Sequence, residues 1–304
     1  MKTIVGYLKD YFISVDKRIL SLSAIFTACF IFINYYFKLN DRINSFSGLQ
    51  QYAGWYVVFF TAFSFAYFLL VYYKQTAIFK NRSFLLLLFI APLLFAWKMA
   101  SAVDFIQTGN ELYNNYWNKV IYWPFKLIVM LAALFIVWKV FDKEQKFYGL
   151  TLQKFVAKPY LIMLLIMIPL VAAASTQPDF LAMYPKLKTV QFLAGEQNSG
   201  WYKLLYELSY GSDFFTIELF FRGFVVLAFS KWVGKDAILP MAIFYCTIHF
   251  GKPLGECISS FFGGIILGVV IFHTRTIFGG LMVHLGIAWL MELGGYLGNV
   301  GRVP

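Results

Sequence analysis

Residues 254–273 read LGECISSFFGGIILGVVIFH, and residues 277–298 read IFGGLMVHLGIAWLMELGGYLG. Each run is long enough to cross the roughly 30 Å hydrocarbon core of a bilayer as a helix, which takes about 20 apolar residues. Neither run alternates apolar with polar positions, so barrel strands are excluded. A helix is then the way to satisfy the backbone in lipid. Similar runs precede them near 19–37, 52–73, 83–101, 120–138, 159–175, 212–230 and 237–250. The sequence therefore predicts an all-α fold, a multi-pass integral membrane helical bundle of about nine spans (eight to nine).

Composition agrees. The 304 residues are 60% hydrophobic and 13% charged, with a mean hydropathy of +0.67. A soluble domain carries about a quarter charged residues, so half the material for a water-facing surface is missing. Aromatic residues make up 21% of the chain, which suits interfacial belts. The formal net charge is +11, but the basic residues sit in short segments between apolar runs. No basic stretch is long enough to track phosphates, so nucleic acid is excluded as a partner and anionic membrane lipids are expected. With the N-terminus inside, 15 Lys and Arg fall in inner segments, nine in outer segments and two within spans. That bias predicts a cytoplasmic N-terminus.

Four segments follow. Residues 1–18 form an N-terminal amphipathic interfacial segment, with Ile4, Leu8, Tyr11 and Phe12 on one face. Residues 19–175 form a five-helix membrane block, bulky and aromatic. Residues 176–211 form an extramembrane loop that includes Gly195–Trp201. Residues 212–304 form a four-helix membrane core rich in glycine. Cys29, Cys246 and Cys257 lie inside apolar runs without metal-type spacing and read as small buried residues.

Ionisable groups at membrane depth are costly and mark functional sites. The last segment concentrates them. Glu218 and Arg222 stand four apart on one helix face, either as an ion pair that makes burial tolerable or as a carboxylate held ionised by the guanidinium. His249 closes FYCTIHF, and Glu256 follows the Gly251–Pro253 break. His284 and Glu292 share the last run. His249 and His284 lie on different helices. Together they orient a water, bind a metal or stabilise an oxyanion, or each simply hydrogen-bonds a neighbouring helix. His273, beside Thr274 and Arg275, reads as interfacial.

The order of these residues resembles the CPBP family of intramembrane proteases (CAAX-protease and bacteriocin-processing, also called Abi). The family is marked by Glu-Glu-x-x-x-Arg, then Phe-x-x-x-His, then His-x-x-x-Asn. Here the three elements read Ile217-Glu218 through Arg222, Tyr245 through His249, and His284 through Ala288. The resemblance implies that 212–304 is a catalytic-type core and that the chain is an endopeptidase of a cell membrane, as in bacteria. Its substrate is a membrane-associated peptide: a prenylated CAAX protein, a bacteriocin leader or a membrane-bound regulator. It further implies that Glu218 and His249 activate a water and that His284 supports the oxyanion. Arg222 partners Glu218, and Glu256 is a second candidate base. A divalent metal such as zinc, held by His249, His284 and Glu218, stays open alongside a metal-free reading. Ile217 replaces the family's first glutamate, and Ala288 replaces its asparagine. Those departures keep open a catalytically impaired binding or scaffold protein of the same fold, and the buried Glu, Arg and two His keep open a transporter with a proton or solute path.

Overall fold

The computed structural model describes residues 4–153, 155–188 and 199–300. Residues 1–3 of the predicted amphipathic segment and 189–198 of the predicted loop lie outside the described residues. The helices, in chain order, are α1 (Ile4–Ser14), α2 (Lys17–Phe37), α3 (Leu39–Asn44), α4 (Gly48–Lys74), α5 (Arg82–Ala100) and α6 (Glu111–Phe141). They continue with α7 (Lys158–Ala174), α8 (Pro178–Met183), α9 (Ser199–Glu218) and α10 (Leu227–Val233). The last three are α11 (Ile238–Thr247), α12 (Leu254–Thr274) and α13 (Phe278–Asn299). A π-helical segment, Leu219–Val226, joins α9 to α10. No strand occurs among the described residues.

Among the described residues, six helices are long and apolar enough to cross a membrane: α2, α4, α5, α6, α12 and α13. They match six of the nine predicted spans. The other three runs fold in shorter pieces. The run at 159–175 is α7, of 17 residues. The run at 212–230 is shared among α9, the π segment and α10. The run at 237–250 holds only ten helical residues before the Gly251–Pro253 turn. Residues 199–211, read from the sequence as loop, are the first half of α9. Local chemistry sets several boundaries. The Asp16 carboxylate caps α2 by accepting the N–H groups of Arg18 and Ile19 at 2.9 and 3.5 Å. The Asn81 side chain caps α5 through the N–H of Phe84 at 2.9 Å.

The chain divides into two compact units. The first holds residues 1–101, 133–155 and 219–277. Its centre is aromatic: Phe59, Phe63, Phe95, Phe220, Phe221 and Phe244 are fully buried. The Phe59 and Phe221 rings lie 5.1 and 5.0 Å from that of Phe244, at tilted and edge-on angles that ring quadrupoles favour. Helix α12 packs closely on α11, where a Cβ at Gly264 would come 3.2 Å from the Ala242 Cα. In α1, Tyr11 is buried and Phe12 is exposed. The His273 ring, read as interfacial, stacks on that of Tyr7 at 4.4 Å.

The π segment is clasped from the 142–149 loop of the same unit. Tyr148 donates its hydroxyl to Asp142 at 2.7 Å, and Lys231 reaches the same carboxylate at 2.6 Å. The Tyr148 carbonyl oxygen would sit 2.5 Å from any Cβ at position 223, so only glycine fits there.

The second unit holds residues 102–132, 156–218 and 278–304. Helix α13 is its spine, with α7, α8 and α9 against it. The approach is close because α13 presents glycines. A Cβ at Gly286 would meet Leu164 at 2.6 Å, and one at Gly295 would meet the Tyr184 carbonyl carbon at 2.5 Å. Tyr116, Val120 and Tyr206 form a small buried cluster where α6 meets α9.

Candidate active site

Glu218 is the last residue of α9 and is fully buried. Its Oε1 lies 2.9 Å from His284 Nδ1 on α13. A carboxylate only accepts, so Nδ1 carries the proton and donates it, which leaves Nε2 of the neutral ring as the basic nitrogen. Two neighbours fix the pair. The Phe214 ring, one turn earlier on α9, meets the imidazole edge-on at 4.8 Å. Gly280, one turn before His284, makes room for the carboxylate, because a Cβ there would overlap Glu218 Oε2. Glu218 and His284 stood out in the sequence; Phe214 did not, and Gly280 read only as one of the glycines that let helices pack closely. Gly280 was legible in principle: it stands four residues before His284 and so shares its helix face.

Arg222, His249 and Glu256 belong to the first unit. The Arg222 guanidinium is buried, with its carbon 3.8 Å from the centroid of the Tyr245 ring. That cation–π contact offsets part of the cost of burying the charge. His249 Nδ1 lies 3.1 Å from the Tyr245 carbonyl oxygen. By the same donor logic its Nε2 is the acceptor in the neutral form. The two rings meet edge-on at 4.8 Å. Tyr245 thus touches both side chains, through its ring face and its carbonyl. Glu256, in the first turn of α12, is paired with Lys252 at 3.3 Å.

Glu292 is buried near the far end of α13, and its partners differ. Its two oxygens accept the backbone N–H groups of Lys186 and Leu187 at 2.8 and 3.0 Å. The carboxylate thereby pins the segment that follows α8 to α13, a structural task. Beside it is a cavity of about 430 Å³ lined by Leu204, Glu207, Trp289, Glu292 and Tyr296. Burial there, reinforced by the charge of Glu292, pushes the Glu207 carboxyl up to about 7, against the opposing hydrogen bond of Trp289. Glu207 was not noted from the sequence.

A zinc-type centre takes at least three protein donors. Among the described residues no group of three or more His, Cys, Asp or Glu gathers into such a set. Glu218 and His284 supply two donors, which does not complete one.

Residues 209–290 match the family described as Type II CAAX prenyl endopeptidase Rce1-like. The matched stretch holds Glu218, Arg222, His249, Glu256, Gly280 and His284 and stops short of Glu292. No curated protein and no solved structure matches the chain significantly.

Proposed function

From this match to a CAAX endopeptidase family over 209–290, we propose that the chain is an intramembrane endopeptidase in which Glu218 and His284 activate the attacking water. The observation that carries the reading is the 2.9 Å bond between the buried Glu218 carboxylate and His284 Nδ1. A carboxylate behind an imidazole fixes its tautomer and stabilises the imidazolium that forms when Nε2 takes a proton. In the first step, Nε2 accepts a proton from water as the water oxygen attacks the peptide carbonyl. In the second, the same Nε2–H returns the proton to the leaving amine. Glu218 accepts from Nδ1–H throughout. Arg222 and His249 enter by resemblance to the family, with Tyr245 as their shared neighbour, and Glu256 enters only as an alternative base. The substrate is a membrane-associated protein, prenylated in the family's usual case.

The test is hydrolysis of a panel of membrane-anchored peptides, with and without a prenyl group, by purified protein in liposomes. Cleavage by wild type, lost in Glu218→Gln and His284→Ala, supports the proposal; full activity in both variants overturns it. A catalytically impaired scaffold is the second reading. It draws on Ile217 and on Ala288, which is buried one turn beyond His284, where the family carries polar groups. An inactive wild type that gains cleavage on Ile217→Glu with Ala288→Asn favours that reading.

A further inference from the structure

Cys246 ends α11's apolar face and Cys257 begins that of α12, and both are fully buried in the first unit. Their sulfurs are 3.9 Å apart. Each also lies against the other's backbone: the Cys246 thiol is 3.3 Å from the Cys257 carbonyl oxygen, and the Cys257 thiol is 3.9 Å from that of Cys246. The two residues therefore face each other across the helix pair. The third cysteine, Cys29, is exposed on α2.

We propose that Cys246 and Cys257 are a redox-active thiol pair that closes to a disulfide under hydrogen peroxide and so locks the turn that carries His249. The ten residues between them, 247–256, include His249 and Glu256. Cys246 is wired to that turn directly, since its carbonyl accepts the His249 N–H at 3.0 Å. The turn is held elsewhere as well. Asn34 donates to the Phe250 carbonyl at 2.9 Å and Tyr35 to that of Lys252 at 2.6 Å. Bringing the sulfurs from 3.9 Å to bonding distance of about 2.05 Å pulls the start and end of the turn together, and His249 moves with its hydrogen-bonded anchor.

The chemistry balances with peroxide as the two-electron oxidant. One cysteine sulfur, as thiolate, attacks a peroxide oxygen; the O–O bond breaks, a sulfenic acid forms, and the departing hydroxide takes the thiol's proton as water. The second sulfur then attacks the sulfenic sulfur. The S–O bond breaks, and the hydroxyl leaves with the second thiol's proton as another water. Both sulfurs are oxidised and both peroxide oxygens reduced.

The experiment uses the full chain with Cys29→Ala in liposomes, treated with hydrogen peroxide, quenched, unfolded in detergent and alkylated. The expected product is a monomer lighter by two hydrogens, with neither remaining thiol alkylated, and restored by dithiothreitol. Two alkylated thiols after a dose that oxidises an exposed control cysteine overturn the proposal. So does gain of oxygen without the crosslink, or a crosslink between molecules. Cys257→Ala is the second variant: in it Cys246 gains oxygen or stays reduced and no intramolecular bond forms. The effect on His249 rests on the endopeptidase reading. Where cleavage is measurable, oxidation lowers turnover on the order of tenfold to a hundredfold, reversed by reduction and absent in Cys257→Ala. A crosslink without that loss overturns the link to His249, while an inactive wild type touches only the endopeptidase reading.

Discussion

The two ends of α13 each receive a buried carboxylate from or onto the same helix, and they put it to opposite uses. Toward its start, Glu218 meets the imidazole of His284. Toward its end, Glu292 meets two backbone N–H groups. A backbone amide holds its proton at any physiological pH, so the Glu292 contacts can only fasten. An imidazole both donates and accepts protons, so under the proposed function the Glu218 contact also reacts. Burial alone does not separate the two glutamates; the partner does.

The largest expected difference between the ends is in turnover. His284→Ala and Glu218→Gln each lower the cleavage rate by about 10²–10⁴-fold in reconstituted protein, since a general base is removed or left without its counter-charge. The glutamine variant keeps its fold by circular dichroism, because an amide oxygen still accepts from Nδ1–H. An equal loss of turnover in well-folded Glu292→Gln would erase the contrast. Next comes Gly280→Ala, where the added methyl displaces the Glu218 carboxylate. A shift of that size at the proposed catalytic pair costs about a hundredfold in turnover with the helix content unchanged.

Glu292→Ala acts on stability instead. It leaves two part-buried N–H groups without their carboxylate acceptor, at about 1.5–3 kcal/mol for a hydrogen bond to a charged group. Thermal unfolding in detergent reads this as a lower midpoint, with turnover per folded molecule retained.

The smallest effect is a pH slope. The Glu207 carboxyl is raised from 4.5 to about 7 in the folded chain. The folded state therefore binds the proton more tightly than the unfolded one. Its stabilising share is complete below about 4.5 and is lost as pH rises toward 7. The unfolding midpoint falls across that window, and Glu207→Gln flattens the fall.

Much of the bundle was legible because lipid leaves few choices. Six long runs of low charge became six long helices, and capping at Asp16 and Asn81 set where two of them start. The run at 212–230 was harder to read. Its α-helical period fails at Leu219, where the π segment begins, and nothing in the side chains of LFFRGFVV announces that change. A π turn is a tertiary compromise, here clasped by the Tyr148 carbonyl against Gly223. The first half of α9 was missed for a related reason. Tyr, Ser, Lys and Glu there give a weak apolar signal, and packing of Tyr206 on Tyr116 supports the helix instead. At the site, cost of burial singled out Glu218 and His284 one by one. That they bond each other, 66 residues apart in sequence, is a fact of helix packing no local pattern carries.

The notch at Gly280 has a use beyond this chain. Helix α13 carries its histidine and its gap on one stripe, four positions apart, and the carboxylate from α9 drops into the gap. A reader holding only a sequence can look for that stripe, a glycine four places ahead of an intramembrane histidine. Where it occurs, the acidic partner is to be sought on a separate helix, arriving from the side. Where a bulky residue fills the place, the acid has to approach along another line.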